Sequence, residues 1–192
     1  MFSRRKVGIL GGTFNPPHNG HMHIAQSVYE ALALDEVRFM PAATPPHKEE
    51  DDSVSAEHRL QMVKEAVAEV PYFRAFDYEI KRGGTSYTYE TMRTLTEVEP
   101  DVDFYFIIGG DMVDSLSTWY RIDELVEMIR FVGVQRPGTK NETSYDIVRV
   151  DIEPMDIASS DIRARLRNGQ SIEGYVPERV RRYIEEERLY EN

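Results

Sequence analysis

Residues 6–21 read KVGILGGTFNPPHNGH, an apolar run followed by a segment rich in glycine, proline and histidine. The run Lys6–Leu10 ends at two glycines, which is typical of a buried strand that stops at a turn. Helical periodicity follows from about Asn19 to Leu34, with apolar residues on one face. The stretch therefore predicts a strand, a glycine-containing turn and a helix.

The same alternation continues along the rest of the chain. Further strands are predicted at Glu36–Pro41, Phe73–Ile80, Phe104–Ile108, Phe131–Val134 and Ile147–Ile152. Further helices are predicted at Ser55–Val70 (with Ser55 as N-cap), Tyr87–Val98, Met112–Arg130 (as short helices), Ser159–Arg167 and Pro177–Arg188. The pattern predicts an α/β fold: a Rossmann-like, doubly wound, mainly parallel sheet with helices on both faces and a small C-terminal helical region.

Composition narrows the class of protein. The 192 residues fit one domain, 1–192, and 41% hydrophobic with 30% charged residues is an ordinary globular mixture. There is no cysteine, which excludes a disulfide scaffold, a thiolate zinc site and a cysteine nucleophile. No apolar run approaches the roughly 18 residues of a membrane span, and the apolar stretch after the basic N-terminus is too short for a signal peptide. We therefore expect a cytoplasmic protein.

The charge balance is acidic. Twenty-three Lys and Arg residues against 34 Asp and Glu give a net charge of −11 and a pI near 5.0. Such a surface repels nucleic acids and anionic membranes, so we expect neither as a partner. A small anionic ligand such as a nucleotide remains compatible, because it responds to local donors and helix N-termini.

Three unusual segments fall where predicted strands end: Gly11–His21, Ala42–Lys48 and Gly109–Asp111. Open parallel sheets bind ligands at the carboxyl ends of their strands. The three segments therefore predict a single site. A dinucleotide-binding G-x-G-x-x-G motif and a G-K-[ST] phosphate loop are both absent.

Two histidines dominate the first segment. His18 and His21 are three residues apart and are expected on one helical face, with Gly20 between them leaving room for a phosphate. Imidazole donors beside a helix N-terminus suit a polyphosphate whose charge grows during a reaction. Two alternatives stay open: ordinary surface or core histidines, and a zinc site that also uses His23, although no HExxH glutamate supports it.

The segment Gly11–His21 resembles the G-G-x-F-x-P-x-H-x-G-H signature of the nucleotidyltransferase superfamily that transfers AMP or CMP from a nucleoside triphosphate. A second signature of that superfamily, I-S-S-T-x-I-R, is matched by Ile157–Arg163. Further segments are similar to the bacterial nicotinate mononucleotide adenylyltransferases: Pro45–Lys48, Ser86–Thr88, Ile107–Met112, Trp119–Tyr120, Arg136–Gly138 and Val176–Tyr190. Two departures are Asn15, where the family often has aspartate, and Ala158, where the second signature often has serine.

The resemblance implies transfer of AMP from ATP to nicotinate mononucleotide, giving deamido-NAD and pyrophosphate, in NAD biosynthesis. It implies direct in-line attack by a phosphate oxygen without a covalent intermediate, so a general base is not needed. Mg²⁺ would be held mainly by the ATP phosphates, with no protein metal site. The implied partners are the two substrates, and a homo-oligomer is compatible with the sequence.

The same resemblance assigns residues to roles. The implied catalytic residues are His18, His21, Lys48 and Arg163. The implied ATP-binding residues are Gly11, Gly12, Thr13, Phe14, Gly20, Gly109, Asp111, Arg136, Ser159 and Ser160. The implied nicotinate mononucleotide-binding residues are Thr85, Trp119 and Tyr120.

Two rival functions share this scaffold. A pantetheine-phosphate adenylyltransferase usually has threonine at the position of His18 and lacks the Ser86–Thr88 and Trp119–Tyr120 segments. A non-catalytic nucleotide-binding sensor would be expected to lose His21, Lys48 or Arg163, and all three are present.

Overall fold

One parallel sheet organises the computed structural model, which describes residues 3–43, 54–85 and 87–191. Its strands are β1 (Arg5–Gly12), β2 (Glu36–Pro41), β3 (Phe73–Ala75), β4 (Val102–Gly109), β5 (Arg130–Gln135) and β6 (Val148–Asp151). Their spatial order is β3-β2-β1-β4-β5-β6. The chain winds outward from β1 to one edge and then from β4 to the other, which confirms the doubly wound α/β prediction. The winding direction reverses between β1 and β4, the kind of position where such sheets bind ligands.

The central strands pair in parallel, from Arg5 opposite Val102 to Leu10 opposite Ile107. Strand β4 then pairs with β5, and β5 with β6. The middle residues of β1, β4 and β5 are buried and almost all apolar, as expected for a parallel sheet covered on both faces. The carboxyl ends of β1 and β4 meet at one edge, which places Gly11 and Gly109 there.

Helices connect the strands at nearly the predicted places. They are α1 (Asn19–Ala31), α2 (Ala56–Val67), α3 (Tyr78–Arg82), α4 (Thr88–Val98), α5 (Gly110–Asp114), α6 (Ile122–Met128), α7 (Ser159–Arg167) and α8 (Glu178–Glu186), with a 3₁₀ turn at Leu116–Thr118. Ser55 caps α2 as predicted, since its Oγ accepts a hydrogen bond from the His58 N–H at 3.2 Å. Helix α7 has the predicted bounds and is followed by Gly169 at φ +66°.

The prediction of a long strand at Phe73–Ile80 was wrong. Only Phe73–Ala75 is a strand, and the chain then forms α3. Asp77 precedes α3 and pairs with Lys81 one turn later at 3.1 Å, an exposed contact that favours the helix only weakly. The alternating aromatic residues favoured a strand in the sequence, but so short a run does not distinguish a strand from a helical turn.

The chain forms two compact units. The first takes its described residues from Met1–Gly11, Ile24–Arg38 and Ser86–Pro154. The second takes them from Gly12–His23, Phe39–Thr85 and Met155–Asn192. Within the second unit, α2, α7 and α8 share an apolar core that contains Met62, Ala66, Ile162, Ile172, Val176, Val180, Ile184 and Leu189. The predicted C-terminal helical region therefore packs on α2.

Across the described residues, no helix is both long enough and apolar enough to cross a membrane.

Candidate active site

The turn after β1 is anchored by Phe14. This residue adopts a left-handed backbone conformation with φ +54°, and its side chain is buried. Its ring meets the edge of the His21 ring at 4.8 Å and lies 5.9 Å from the Phe39 ring. A Cβ on Gly12 would sit 3.4 Å from the Phe14 ring. Phe14, assigned to ATP binding by resemblance, therefore places its side chain in the core and supports His21.

The rings of His18 and His21 stack, with centroids 3.7 Å apart and planes inclined by 29°. The Gly20 N–H donates to His18 Nδ1 at 3.0 Å, and the His18 N–H donates to His21 Nδ1 at 3.0 Å. A neutral imidazole has one donor nitrogen and one acceptor nitrogen. Because both Nδ1 atoms accept, both rings carry their proton on Nε2.

Both histidines are uncharged at neutral pH. Burial lowers the pKa of His18 to about 4. Burial, with a smaller contribution from the neighbouring His18, lowers the pKa of His21 to about 3. The pair therefore offers two N–H donors rather than two cations.

Gly20 has a different steric role from the predicted one. A Cβ at this position would lie 2.8 Å from His18 Cε1 and 2.9 Å from His18 Nδ1. The space beside Gly20 is therefore filled by the His18 ring and is not left open for a phosphate. Glycine is required here because its main-chain N–H must approach the imidazole closely.

Helix α7 binds the same turn. Ser159 Oγ donates to the Pro16 carbonyl at 2.9 Å, and Arg163 Nη1 donates to the Asn15 carbonyl at 2.8 Å. Ala158 precedes the helix without a side-chain cap, and Ser160 is exposed in the first turn. The Ser159 hydroxyl therefore holds the turn after β1 and does not cap the helix.

Asn15 is buried and is one of the two departures from the family pattern. Its Oδ1 accepts a hydrogen bond from the Tyr190 hydroxyl, whose pKa is raised by burial. The main-chain carbonyl of Asn15 thus connects the turn to α7, and its side-chain amide connects the turn to the C-terminal segment. The contact with the Tyr190 hydroxyl needs an acceptor but no charge, so the uncharged amide of Asn15 suffices.

Three further residues predicted to bind the nucleotide, Gly109, Asp111 and Arg136, lie in the first unit. Gly109 precedes α5, and Asp111 is exposed in its first turn. Arg136 is exposed at a turn closed by a hydrogen bond from the Thr139 N–H to its carbonyl.

The two aromatic residues predicted to contact nicotinate lie in different environments within this unit. The Trp119 ring meets Phe106 at 6.1 Å and Phe131 at 5.6 Å, both edge-on. Tyr120 is 46% exposed and packs on Tyr87, with ring centroids 4.6 Å apart. Tyr120 therefore presents an open aromatic surface, whereas Trp119 is tied to core phenylalanines.

The remaining predicted residues are placed as follows. Thr85 is exposed in the second unit, and the Thr13 carbonyl accepts a hydrogen bond from Arg59 at 2.9 Å. Lys48 and the rest of Pro45–Lys48 lie outside the described residues. Among the residues that are described, no three His, Asp or Glu side chains gather as a metal site, so the zinc alternative with His23 gains no support.

Comparison with known proteins decides the family. A family model described as cytidylyltransferase-like matches residues 9–165. A Lactiplantibacillus plantarum protein named "Probable nicotinate-nucleotide adenylyltransferase" is 54% identical over 97% of this chain and 89% of its own. An Oceanobacillus iheyensis protein of the same name is 50% identical over 97% of both chains. The chain belongs to the nicotinate-nucleotide adenylyltransferase family.

Solved structures of this family share the fold. Plasmodium falciparum nicotinic acid mononucleotide adenylyltransferase complexed with NaAD superposes with a TM-score of 0.80, at 21% identity over 97% of both chains. The same protein complexed with APC gives a TM-score of 0.78, at 20% identity over 97% of both chains. This chain therefore has the fold of these solved structures over nearly its whole length.

The two family signatures meet in the second unit, through the contacts of Asn15 with Arg163 and of Pro16 with Ser159. Sequence reasoning missed Arg59, which is buried and donates hydrogen bonds to main-chain carbonyls of this unit. One signal was available: Arg59 shares the otherwise apolar face of α2 with Met62, Val63 and Ala66. An arginine at such a position needs hydrogen-bond acceptors inside the protein.

Proposed function

We propose that this chain transfers AMP from ATP to nicotinate mononucleotide and releases deamido-NAD and pyrophosphate, a step of NAD biosynthesis. The choice of substrates is supported by the names of relatives that are about half identical over nearly the whole chain. The chemistry is supported by one observation above all, the stacked histidine pair whose Nδ1 atoms are held by main-chain N–H groups.

The proposed reaction is a single in-line displacement. An ionised phosphate oxygen of nicotinate mononucleotide attacks the α-phosphorus of ATP and forms a new P–O bond. The bond from that phosphorus to the oxygen bridging the β-phosphate breaks, and its electron pair leaves with pyrophosphate. Because the nucleophile is already ionised, the protein supplies position and charge stabilisation rather than a base.

The histidines serve this displacement as neutral donors. Their Nε2–H groups are directed by the fixed Nδ1 contacts, so they need no reorganisation when charge develops on the departing phosphates. Stacking holds the two donors side by side, which suits neighbouring phosphate oxygens. Uncharged imidazoles also avoid placing two adjacent cations in a buried position.

Positive charge then comes from other groups. We assign Arg163 and Lys48 to the phosphates, with Arg163 already anchored through one nitrogen to the Asn15 carbonyl. Ser160 and the first main-chain N–H groups of α7 are further donors to an anion. Gly11, Gly12 and Thr13 would let the main chain approach ATP, and Gly109, Asp111 and Arg136 would contact its nucleoside or phosphates.

The acceptor is assigned to the aromatic surface. Tyr120 offers an exposed ring on which a pyridine can stack. Thr85 and Trp119 stay in the proposed acceptor set, with main-chain N–H groups meeting the carboxylate. The edge-on packing of Trp119 against Phe106 and Phe131 makes Tyr120 the residue better placed for stacking.

Mg²⁺ enters this proposal with the nucleotide. Phosphate oxygens and water are the ligands that it prefers. We therefore treat Mg²⁺ as part of the Mg–ATP substrate and assign no step to a protein-bound metal.

Pyrophosphate release measured with ATP and a panel of acceptors tests the proposal. We expect release with nicotinate mononucleotide at the highest kcat/KM. Release mainly with phosphopantetheine would favour the rival adenylyltransferase. Binding of ATP without release for any acceptor would favour the non-catalytic sensor.

A further inference from the structure

Arg59 of α2 is the largest fully buried side chain among the described residues, at 2% exposure. Its Nη1 donates to the carbonyls of Thr13 at 2.9 Å and Ala42 at 2.7 Å, and its Nη2 donates to the carbonyl of Ala43 at 2.9 Å. All of these acceptors are main-chain atoms. The guanidinium therefore binds the backbone rather than a carboxylate.

The three carbonyls belong to two chain segments that leave the sheet side by side. Thr13 follows the end of β1, and Ala42 and Ala43 follow the end of β2. The Ala42 N–H also donates to the Gly12 carbonyl at 2.9 Å, so the two segments are paired just before they separate. The planar, forked guanidinium can span both segments, which a single ammonium group at this depth cannot do equally well.

Burying this cation is costly, which argues against a role in packing alone. Arg59 Nε finds no hydrogen-bond partner within the described part of the chain, and burial lowers the pKa of the guanidinium. The neighbouring buried positions on α2 are filled by Met62 and Val63. An apolar residue of similar length would fill the volume without desolvating a charge.

The Thr13 carbonyl is linked to the histidine pair through Phe14. Thr13 is followed by Phe14, whose ring supports His21 at 4.8 Å, and His21 in turn accepts the His18 N–H. A shift of the Thr13 peptide would therefore be passed to Phe14 and to the stack. We propose that Arg59 is a positioning residue that fixes the turn after β1, and through it the donor geometry of His18 and His21.

The proposal rests on the adenylyl-transfer function for its kinetic consequences, but its structural content can be tested separately. Arg59→Met removes the donors and keeps the volume, and Arg59→Lys keeps the charge and loses the fork. Val63→Ala is the matched control, because Val63 is fully buried on the same helix and has no polar side-chain atom. Urea unfolding places the three variants on one stability scale.

The first readout is the ¹⁵N NMR spectrum of the histidine side chains, which requires no activity. In the parent protein, His18 and His21 should each show a protonated Nε2 and a hydrogen-bonded, unprotonated Nδ1. Arg59→Met should lose this fixed pattern for His21 and show tautomer exchange. Val63→Ala should keep the parent pattern even if it is equally destabilised.

The second readout is steady-state kinetics with ATP and nicotinate mononucleotide, corrected for the folded fraction. Arg59→Met should lower kcat by about tenfold to a hundredfold, the range expected from misplacing catalytic groups, with Arg59→Lys in between and Val63→Ala near the parent. Parent-like spectra and kcat in Arg59→Met would overturn the proposal. If Arg59→Met fails to fold, Arg59→Lys decides in the same way. If neither variant folds, the role of Arg59 is purely structural, and this result would also overturn the proposal.

An inactive parent protein would contradict the proposed function and leave the NMR test of Arg59 intact. The two failures are therefore distinguishable.

Discussion

At the scale of single residues, the direction of two hydrogen bonds decides what the histidine pair can do. Each Nδ1 accepts a main-chain N–H, so each Nε2 carries the proton that faces away from the backbone. Protonating Nδ1 would break that contact and would place a charge beside a stacked neighbour. The pair is thus built to donate hydrogen bonds while staying neutral.

Neutrality of the pair predicts how stability depends on pH. Between the folded pKa values, about 4 for His18 and about 3 for His21, and the ordinary value of 6.5, the unfolded chain binds more protons than the folded one. The free energy of unfolding should therefore fall as the pH drops through this window, by about 1–2 kcal/mol per histidine from pH 6.5 to pH 5. Urea unfolding of the parent and of His21→Ala at both pH values measures this. An equal loss in both proteins would contradict the low pKa of His21.

Removing the His21 side chain should reduce turnover much more than it reduces the affinity for ATP. His21→Ala should lower kcat by about 10²–10³, the usual effect of losing one preorganised donor to transition-state charge. Its affinity for ATP should change much less, because the ground state has less charge on the leaving group. His23→Ala on the same helix is the control and should keep near-parent turnover. Near-parent turnover in His21→Ala would remove this residue from the mechanism.

Gly20 gives a purely steric test of the stack. The Cβ of Gly20→Ala would lie 2.8 Å from His18 Cε1, closer than real Cβ contacts, so the ring must move. We expect a loss of turnover of at least about tenfold with the fold retained, because the displaced ring cannot keep its Nδ1 contact and its Nε2 direction together. Circular dichroism checks the fold and pyrophosphate release checks turnover. Unchanged turnover would show that His18 tolerates a different position.

For the candidate site, the sequence showed which residues are close along the chain and not how they are arranged in space. Spacing alone brought His18, Gly20 and His21 together, because they are close in the chain. The contact of Arg59 with Thr13 joins residues 46 positions apart, and the contact of Arg163 with Asn15 joins residues 148 apart. Local patterns carry no information on such partners.

At the scale of elements, a partly buried ion cluster joins β2 to the end of α4 in the first unit. Arg38 binds Glu99 through two hydrogen bonds of 2.7 and 2.8 Å, and its side chain also binds Glu36 Oε1 at 3.0 Å. The Arg38 side chain is 10% exposed and that of Glu99 is 28% exposed, so solvent screens this pair only in part. The hydrogen bonds from Arg38 lower the pKa of the Glu99 carboxyl.

Glu99→Gln should therefore destabilise the protein, by about 1–3 kcal/mol at pH 7, because a charged hydrogen-bonded pair is replaced by a neutral one. A carboxyl whose folded pKa is depressed contributes its stability above the unfolded pKa and loses it as the pH falls through the folded one. The difference between parent and variant should thus shrink below about pH 4. Chemical unfolding across this range measures it. Glu97→Gln is the control, since its contact with Arg93 is exposed and 3.5 Å long, and a similar loss there would contradict the argument.

The elements themselves were largely predictable because their patterns are local. Strands of a parallel sheet are buried on both faces, so β1 and β4 stand out as apolar runs. The prediction of a strand over residues 73–80 was wrong because three alternating residues cannot distinguish a short strand from the first turn of a helix. Rules of chirality and winding limit the possible strand orders but do not select one. The order was therefore known only from the structure.

At the scale of the whole molecule, an acidic chain is proposed to bind two anionic substrates. A net charge of −11 opposes their approach at long range. Binding must therefore come from donors at short range, and the neutral imidazoles, Arg163 and the first turn of α7 are of this kind. This arrangement favours ligands that match the donors in geometry over anions in general.

The same reasoning predicts which pyridine nucleotide is the better acceptor. Stacking on the exposed ring of Tyr120 does not distinguish nicotinate from nicotinamide, because both rings present the same face. Main-chain N–H donors to the substituent do distinguish them, since a carboxylate accepts at both oxygens and a carboxamide presents its own NH₂ to one donor. A hydrogen bond to a charged group is stronger by about 1–2 kcal/mol, so kcat/KM should favour nicotinate mononucleotide by at least about tenfold.

Tyr120→Ala should lower kcat/KM for both acceptors and leave most of their ratio, as measured by pyrophosphate release with each acceptor. Equal efficiency of the two acceptors in the parent protein would contradict main-chain recognition of the carboxylate and would indicate a dual-specificity enzyme.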